Sequence, residues 1–157
     1  NTNTSPIASA CMDMSENRVG ALIVFRRKDD LQFVIEGGIA LDATITRSLI
    51  KNIFFKNAPL HDGAVVIDNN RIVAAKCILP VTQSNVPKSY GTRHRAAIGL
   101  SEMTDAVILV VSEETGTISI VKGGKVRSNI DPQKLNSTLK QALEEQEEKP
   151  ANSNIEQ

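Results

Sequence analysis

The order of apolar runs along the chain predicts an α/β domain, a central mixed β-sheet flanked by helices. Three observations carry that prediction. The stretch Ala21-Leu22-Ile23-Val24-Phe25 is an unbroken apolar run of strand length, which is how a strand covered on both faces reads. Helical spacing occurs before, between and after such runs, in Ile7, Cys11 and Met14, in Ile45, Leu49, Ile50 and Ile53, and in Leu135, Leu139 and Leu143. Short polar turns join neighbouring apolar runs, so hairpins are frequent and the sheet is mixed. With 157 residues, 41% of them hydrophobic, the chain suits one core. We expect one domain over residues 1–149 and a disordered tail over 150–157.

Ser5-Pro6 caps and opens a helix running towards Asn17. Gly20 then starts the strand that ends at Phe25. Gln32-Phe33-Val34-Ile35 is expected to return beside it as a strand, with Arg26-Arg27-Lys28-Asp29-Asp30 as the hairpin tip. A helix is expected over 43–54 with Asp42 as its N-cap. Ala64-Val65-Val66-Ile67 and Ile72-Val73-Ala74-Ala75 form a hairpin around Asp68-Asn69-Asn70-Arg71, because asparagine tolerates the positive dihedrals of a tight turn. After a loop around Pro87 and Gly91, residues 95–102 read as a short helix. Three strands follow, over 106–111, 117–121 and 125–127, separated by Glu113-Glu114-Thr115-Gly116 and Lys122-Gly123-Gly124. Asp131-Pro132 caps a terminal helix whose exposed end carries Glu144, Glu145, Glu147 and Glu148, a solvated face, before Pro150 stops it.

The 18 acidic and 18 basic side chains cancel. The broad positive footprint of a sequence-blind nucleic-acid binder is therefore missing, and any phosphate must be gripped locally. Cys11 and Cys77 lack the spacing of a zinc site or disulfide framework and suit a reduced, cytosolic setting as core residues. No apolar run approaches the roughly 18–20 residues that span a bilayer, and the first six residues have no signal pattern.

Both histidines fall inside candidate sites. His61 precedes Asp62-Gly63, where oxygen and nitrogen donors can hold a divalent metal and glycine lets a phosphate approach the backbone. On spacing alone the same string is a surface turn entering a strand. His94 lies within Gly91-Thr92-Arg93-His94-Arg95, where guanidinium forks, a hydroxyl and free helix N-terminal amides all favour oxyanions. Unaided, that string also reads as a solvated basic turn. Gly123-Gly124-Lys125 lacks the full Walker spacing and is not a P-loop. Ser112-Glu113-Glu114 can offer hydroxyl and carboxylate groups to a phosphate-metal centre, although glutamates at a hairpin tip are usually just hydrated.

Taken in order, Leu60-His61-Asp62-Gly63-Ala64, Leu79-Pro80, Gly91-Thr92-Arg93-His94-Arg95-Ala96-Ala97 and Ser112-Glu113-Glu114-Thr115-Gly116 resemble the diadenylate cyclase domain. The resemblance covers roughly residues 20–130 and is closest to the membrane-anchored bacterial class, whose transmembrane helices precede the domain. It implies a nucleotidyltransferase that binds ATP and condenses two ATP into cyclic di-AMP and two pyrophosphates. One ATP would sit in each domain, and two domains would meet face to face as a homodimer, stable or transient. It further implies a cytoplasmic catalytic domain over 1–149 of a protein anchored at the membrane by segments that this chain does not contain.

By the same resemblance, His61 and Asp62 hold a divalent metal (Mn2+, Mg2+ or Co2+), and Asp62, Gly63, Arg93, His94 and Arg95 form the catalytic set. Gly63, Thr92, Arg93, Arg95, Ser112, Glu113 and Glu114 border the ATP phosphates, and Leu79 reads the adenine edge through its backbone. Ile78 stands where that class often has an aromatic residue, so apolar contact replaces ring stacking. Residues 1–17 match the family poorly. A sensor that binds ATP or cyclic di-AMP without making it would use the same arginines and no metal. An ATP phosphohydrolase would release orthophosphate or AMP.

Overall fold

The computed structural model describes residues 2–145. The expected Pro150 helix stop and the 150–157 tail lie outside them, as do Glu147 and Glu148. The elements are α1 (Ser5–Glu16), β1 (Ala21–Phe25), α2 (Gln32–Ile35), β2 (Ile39–Thr44), α3 (Arg47–Phe54), β3 (Ala64–Asp68), β4 (Arg71–Cys77), α4 (Thr92–Met103), β5 (Val107–Val111), β6 (Ile118–Lys122), β7 (Lys125–Arg127) and α5 (Leu135–Glu144). The strands form one sheet of order β2-β4-β3-β1-β5-β6-β7, so the expected mixed sheet with flanking helices is what the chain forms.

All five side chains of β1 are buried, as its unbroken apolar run requires. Period-two alternation sends Ala21, Ile23 and Phe25 into a core shared with α1, α3 and α5. It sends Leu22 and Val24 into a second core with α2 and α4. The sheet is thus the middle of three layers. Among the described residues, no helix is long and apolar enough to cross a membrane.

Two expectations need correction. Gln32–Ile35 is a short helix, not a strand beside β1. Asp30 Oδ1 accepts from the Gln32 amide at 2.9 Å, and Leu31 and Val34 turn inward at helical spacing. The antiparallel neighbour of β1 is β5, which lies much later in the chain. Residues 43–54 are not one helix either. Asp42 sits in an edge-strand bulge at φ 51°, bonded to Arg71 at 2.6 Å, and the helix begins at Arg47 under Thr46, whose hydroxyl accepts from the Leu49 amide. The β3–β4 hairpin is as expected, with Asn69 and Asn70 at φ 50° and 59°.

The segment after β4 is lashed to α4. The Thr82 amide donates to Arg95 O at 3.0 Å, and the Thr82 and Ser84 hydroxyls donate to the Glu102 carboxylate at 2.7 and 2.9 Å. Gly99 makes this possible, because a β-carbon there would collide with the Pro80 carbonyl. In an unobstructed helix interior, Gly→Ala stabilises by up to about 1 kcal/mol. Here Gly99→Ala is expected to destabilise by about 1–3 kcal/mol through overpacking. Urea unfolding measures it, and an unchanged or raised midpoint would refute the close approach.

Candidate active site

Because β1 pairs in parallel with β3 while β4 and β5 run antiparallel to them, one end of the central strands collects two strand starts and two strand ends. Residues 61–63 enter β3 there, 78–81 leave β4, 112–113 leave β5, and α4 begins above them. Most of these residues line a cleft of about 680 Å3. Of the residues expected at the site, it gathers His61, Asp62, Gly63, Ile78, Leu79, Thr92, Arg93 and Glu113. His94, Arg95, Ser112 and Glu114 are not among its lining residues. A larger depression of about 1080 Å3 near Arg26, Arg27 and Lys140 holds none of the expected residues. Its arginines already have protein acceptors, Arg26 at Asp68 and Arg27 at Asp105 O.

His61 is held by a turn in which Asn57 takes φ 78° and the His61 amide donates to Ala58 O. The ring Nδ1 lies 2.7 Å from the same carbonyl. A carbonyl only accepts, so Nδ1 carries the proton and the neutral ring keeps its Nε2 lone pair for a ligand. Asp62 is exposed, and among the described residues its carboxylate has no hydrogen-bond or salt-bridge partner. Gly63 is required twice over. Its φ is 118°, and a β-carbon would lie 2.9 Å from Lys76 Cα.

A divalent ion fits these donors. No group of three or more His, Cys, Asp or Glu side chains converges among the described residues. His61 and Asp62 would therefore supply two ligands, leaving positions for phosphate oxygens or water, the usual manner of Mg2+ and its relatives.

The basic cluster begins α4 earlier than expected, at Thr92, with Gly91 as an N-cap that gives no side-chain bond. The first-turn amides thus lack a capping side chain at the end where anions are favoured. Arg93 reaches Glu113, Nη1 to Oε1 3.3 Å, and its guanidinium lies over Gly20, where a β-carbon would come within 2.5 Å of Cζ. Glu113 is more than half exposed, so this ion pair is weak and an incoming phosphate can replace it.

Successive helical residues point about 100° apart, and the next two take other directions. His94 stacks on Tyr90, ring centroids 5.1 Å apart. Arg95 Nε donates to Tyr90 O at 3.1 Å, with Nη2 3.5 Å from Pro87 O. Ser112 Oγ accepts from the amides of Glu114 and Thr115, both at 3.2 Å, which shapes the turn that presents Glu113. Glu114 is exposed, and its carbonyl accepts from Arg18.

Leu79 is buried at the cleft wall and Ile78 is 81% exposed. Cys77 lines the cleft and Cys11 lies in the core. Burial pushes their thiols up to about 11 and about 12, so both stay protonated and unreactive. Gly20, Ile39, Lys76 and Val81 also shape the site and were not expected there. Only tertiary contact distinguishes Gly20 from an ordinary glycine before a strand.

The chain is similar to several known proteins. The profile of the DAC family, described as DisA bacterial checkpoint controller nucleotide-binding, matches residues 8–126. The cyclic di-AMP synthase CdaA of Bacillus subtilis is 44% identical over 134 residues, 85% of this chain and 49% of that protein. A diadenylate cyclase of Listeria monocytogenes is 47% identical over 131 residues, 83% of this chain and 48% of that one. This chain therefore spans about half the length of both relatives. Among solved structures, a double mutant of DacA from Staphylococcus aureus superimposes with a TM-score of 0.86 at 43% identity, covering 89% of this chain and 94% of that one. A hypothetical membrane spanning protein from Bacillus cereus gives 0.79 at 48% identity, covering 82% and 64%.

Burial, and then the charge of Arg93, hold the His94 pKa below its ordinary 6.5. The unfolded chain therefore binds a proton that the folded chain does not in the window just below that value, and stability must fall as pH drops through it. His94→Phe keeps a ring against Tyr90 and removes the titration. Urea unfolding at about pH 7.5 and 5.5 should show wild type losing more stability than the variant. Equal losses would refute the assignment.

Proposed function

The chain belongs to the DAC family, whose profile spans most of it, and from that premise we propose that it is a diadenylate cyclase. It condenses two ATP into cyclic di-AMP and two pyrophosphates, with a divalent metal, across a face-to-face homodimer. The observation that carries the reading is one cleft that combines an unpaired carboxylate beside a histidine with the uncapped start of α4 and Arg93.

Each 3′ oxygen attacks the other nucleotide's α-phosphorus. An O–P bond forms, the bond from that phosphorus to pyrophosphate breaks, and the hydroxyl proton leaves to solvent. His61 Nε2 and the Asp62 carboxylate hold the metal. A bound divalent ion supplies charge neutralisation on phosphate and lowers the pKa of a hydroxyl. Thr92, Arg93 and the first amides of α4 bind phosphate oxygens, with Glu113 released from Arg93 as they do so.

Gly63 lets the nucleotide approach the backbone, Leu79 reads the adenine edge and Ile78 covers its face. His94 and Arg95 act by fixing the 87–90 loop, and Ser112 with Glu114 by shaping the turn that carries Glu113.

A product with two-fold symmetry calls for two identical faces. The apolar residues exposed around the cleft, Ile39, Ile78 and Val81, suit a surface covered when two copies meet. The domain works on the cytoplasmic side of a protein anchored at the membrane, a reading supported by the similarity to the Bacillus cereus protein described as membrane spanning.

Incubating the chain with ATP and Mn2+ or Mg2+ over a concentration series, with chromatography of the products, tests the reading. Cyclic di-AMP and pyrophosphate should appear at a rate per chain that climbs with protein concentration. Asp62→Asn should lose about 100-fold or more of the turnover with the fold intact. Full activity in that variant would sink the metal assignment. Orthophosphate or AMP would indicate a phosphohydrolase, and ATP binding without pyrophosphate release a sensor.

A further inference from the structure

Lys76 lies next to the end of β4, where the register with β3 slips. Ala64 pairs with Cys77 but Val66 with Ala74, so three steps on β4 answer two on β3. Such bulges re-aim a side chain at the rim of a site. The lysine takes φ 56°, a left-handed conformation that glycine adopts freely and a side-chain-bearing residue resists.

The neighbouring chain meets this bulge closely on both sides. A β-carbon on Gly63 would press on Lys76 Cα, and one on Gly38 would collide with Cys77 Sγ and the Ala75 carbonyl. Backbone strain of this kind persists where the surroundings enforce it, and it concentrates at functional sites.

The side chain so placed is exposed and lines the cleft beside Asp62 and Gly63. Among the described residues its ammonium has no hydrogen-bond or salt-bridge partner. Other cations at this end of the molecule are engaged: Arg93 by Glu113, Arg95 by two carbonyls. An uncommitted ammonium in a cleft partly walled by Leu22, Leu79 and Val81 attracts an anion more strongly than it would in open water.

We propose that Lys76 is a phosphate-binding residue, its Nζ donating to a non-bridging oxygen of the bound nucleotide. The proposal rests on the ATP-cleft reading and adds to it a second cation, from the β4 side. Phosphate is the part addressed because Lys76 abuts Gly63, beside the Asp62 assigned to the phosphate end. An ammonium has only donors and a full charge, which a polyphosphate satisfies and a neutral base does not.

The test is equilibrium binding of ATP and of adenosine, without divalent metal, to wild type, Lys76→Met and Lys76→Gly. Lys76→Met should weaken ATP about five- to tenfold and leave adenosine unchanged. Lys76→Gly removes the charge while relieving the backbone, so it should bind ATP as weakly while unfolding at no lower temperature than wild type. Wild-type ATP affinity in both variants, or equal losses for ATP and adenosine, would overturn the role of Lys76 and leave the cleft reading standing. Wild type that binds neither ligand, even when Mg2+ is added, would overturn both.

Discussion

The parallel pairing of β1 with β3 is the constraint on which the site depends. Its register, Ile23 beside Val65 and Val24 beside Val66, is enforced from both faces of the sheet. Ile23 and Val65 belong to the core under α1, α3 and α5, while Val24 and Val66 belong to the core under α2 and α4. Slipping either strand by one residue would exchange those assignments along its whole length. Two apolar cores thus hold the start of β3 against the start of β1. Gly20, at the start of β1, in turn seats the Arg93 guanidinium. The distance between the carboxylate that enters β3 and the arginine on α4 is therefore a property of the packed sheet, although both residues lie at strand and helix ends.

The same packing explains how three consecutive basic residues come to have three uses. A helix distributes successive side chains around its axis, so Arg93, His94 and Arg95 leave it in different directions. Arg93 is the one over Gly20, at the start of β1. His94 stacks on Tyr90, and Arg95 bonds the Tyr90 and Pro87 carbonyls, tying the preceding loop to the helix. Further along that helix, Gly99 and Glu102 hold the 80–84 segment that continues from Leu79 in the cleft wall. Helix α4 thus presents its N-terminus to the cleft and also anchors both ends of the loop at the cleft's side.

Much of this was legible in the sequence, and the failures have physical causes. Ala21–Phe25 and Ala64–Asp68 could be read because strands buried on both faces leave unbroken apolar runs. Gln32–Ile35 could not, because four residues are too few to show a period, and Phe33-Val34-Ile35 has the aromatic and β-branched make-up of a strand. Strand β2 was invisible because it is an edge strand with mostly exposed or half-buried residues and a bulge at Asp42. The site strings could be found because glycine, histidine, arginine and acidic residues recur there in a known order. Lys76 and Gly20 carry no such signal. A lysine in a bulge and a glycine ahead of a strand look ordinary until the backbone that crosses them is known.

Electrostatics adds a requirement that the fold alone does not impose. In the proposed reaction two clefts, each holding a polyanionic nucleotide, must come close enough for one ribose to reach the other's phosphorus. The chain is formally neutral, so net charge neither draws two copies together nor drives them apart, and at cellular ionic strength its surface charges are screened within about 8 Å. The repulsion between two triphosphates must therefore be cancelled inside each cleft before the faces meet. In that reading Arg93 would do part of this by exchanging Glu113 for phosphate, the α4 amides would add a partial charge, and a divalent ion held by His61 and Asp62 would add more. The further cation proposed on β4 would meet that requirement, and the backbone strain at Lys76 would then be the cost of placing charge beside the proposed nucleotide.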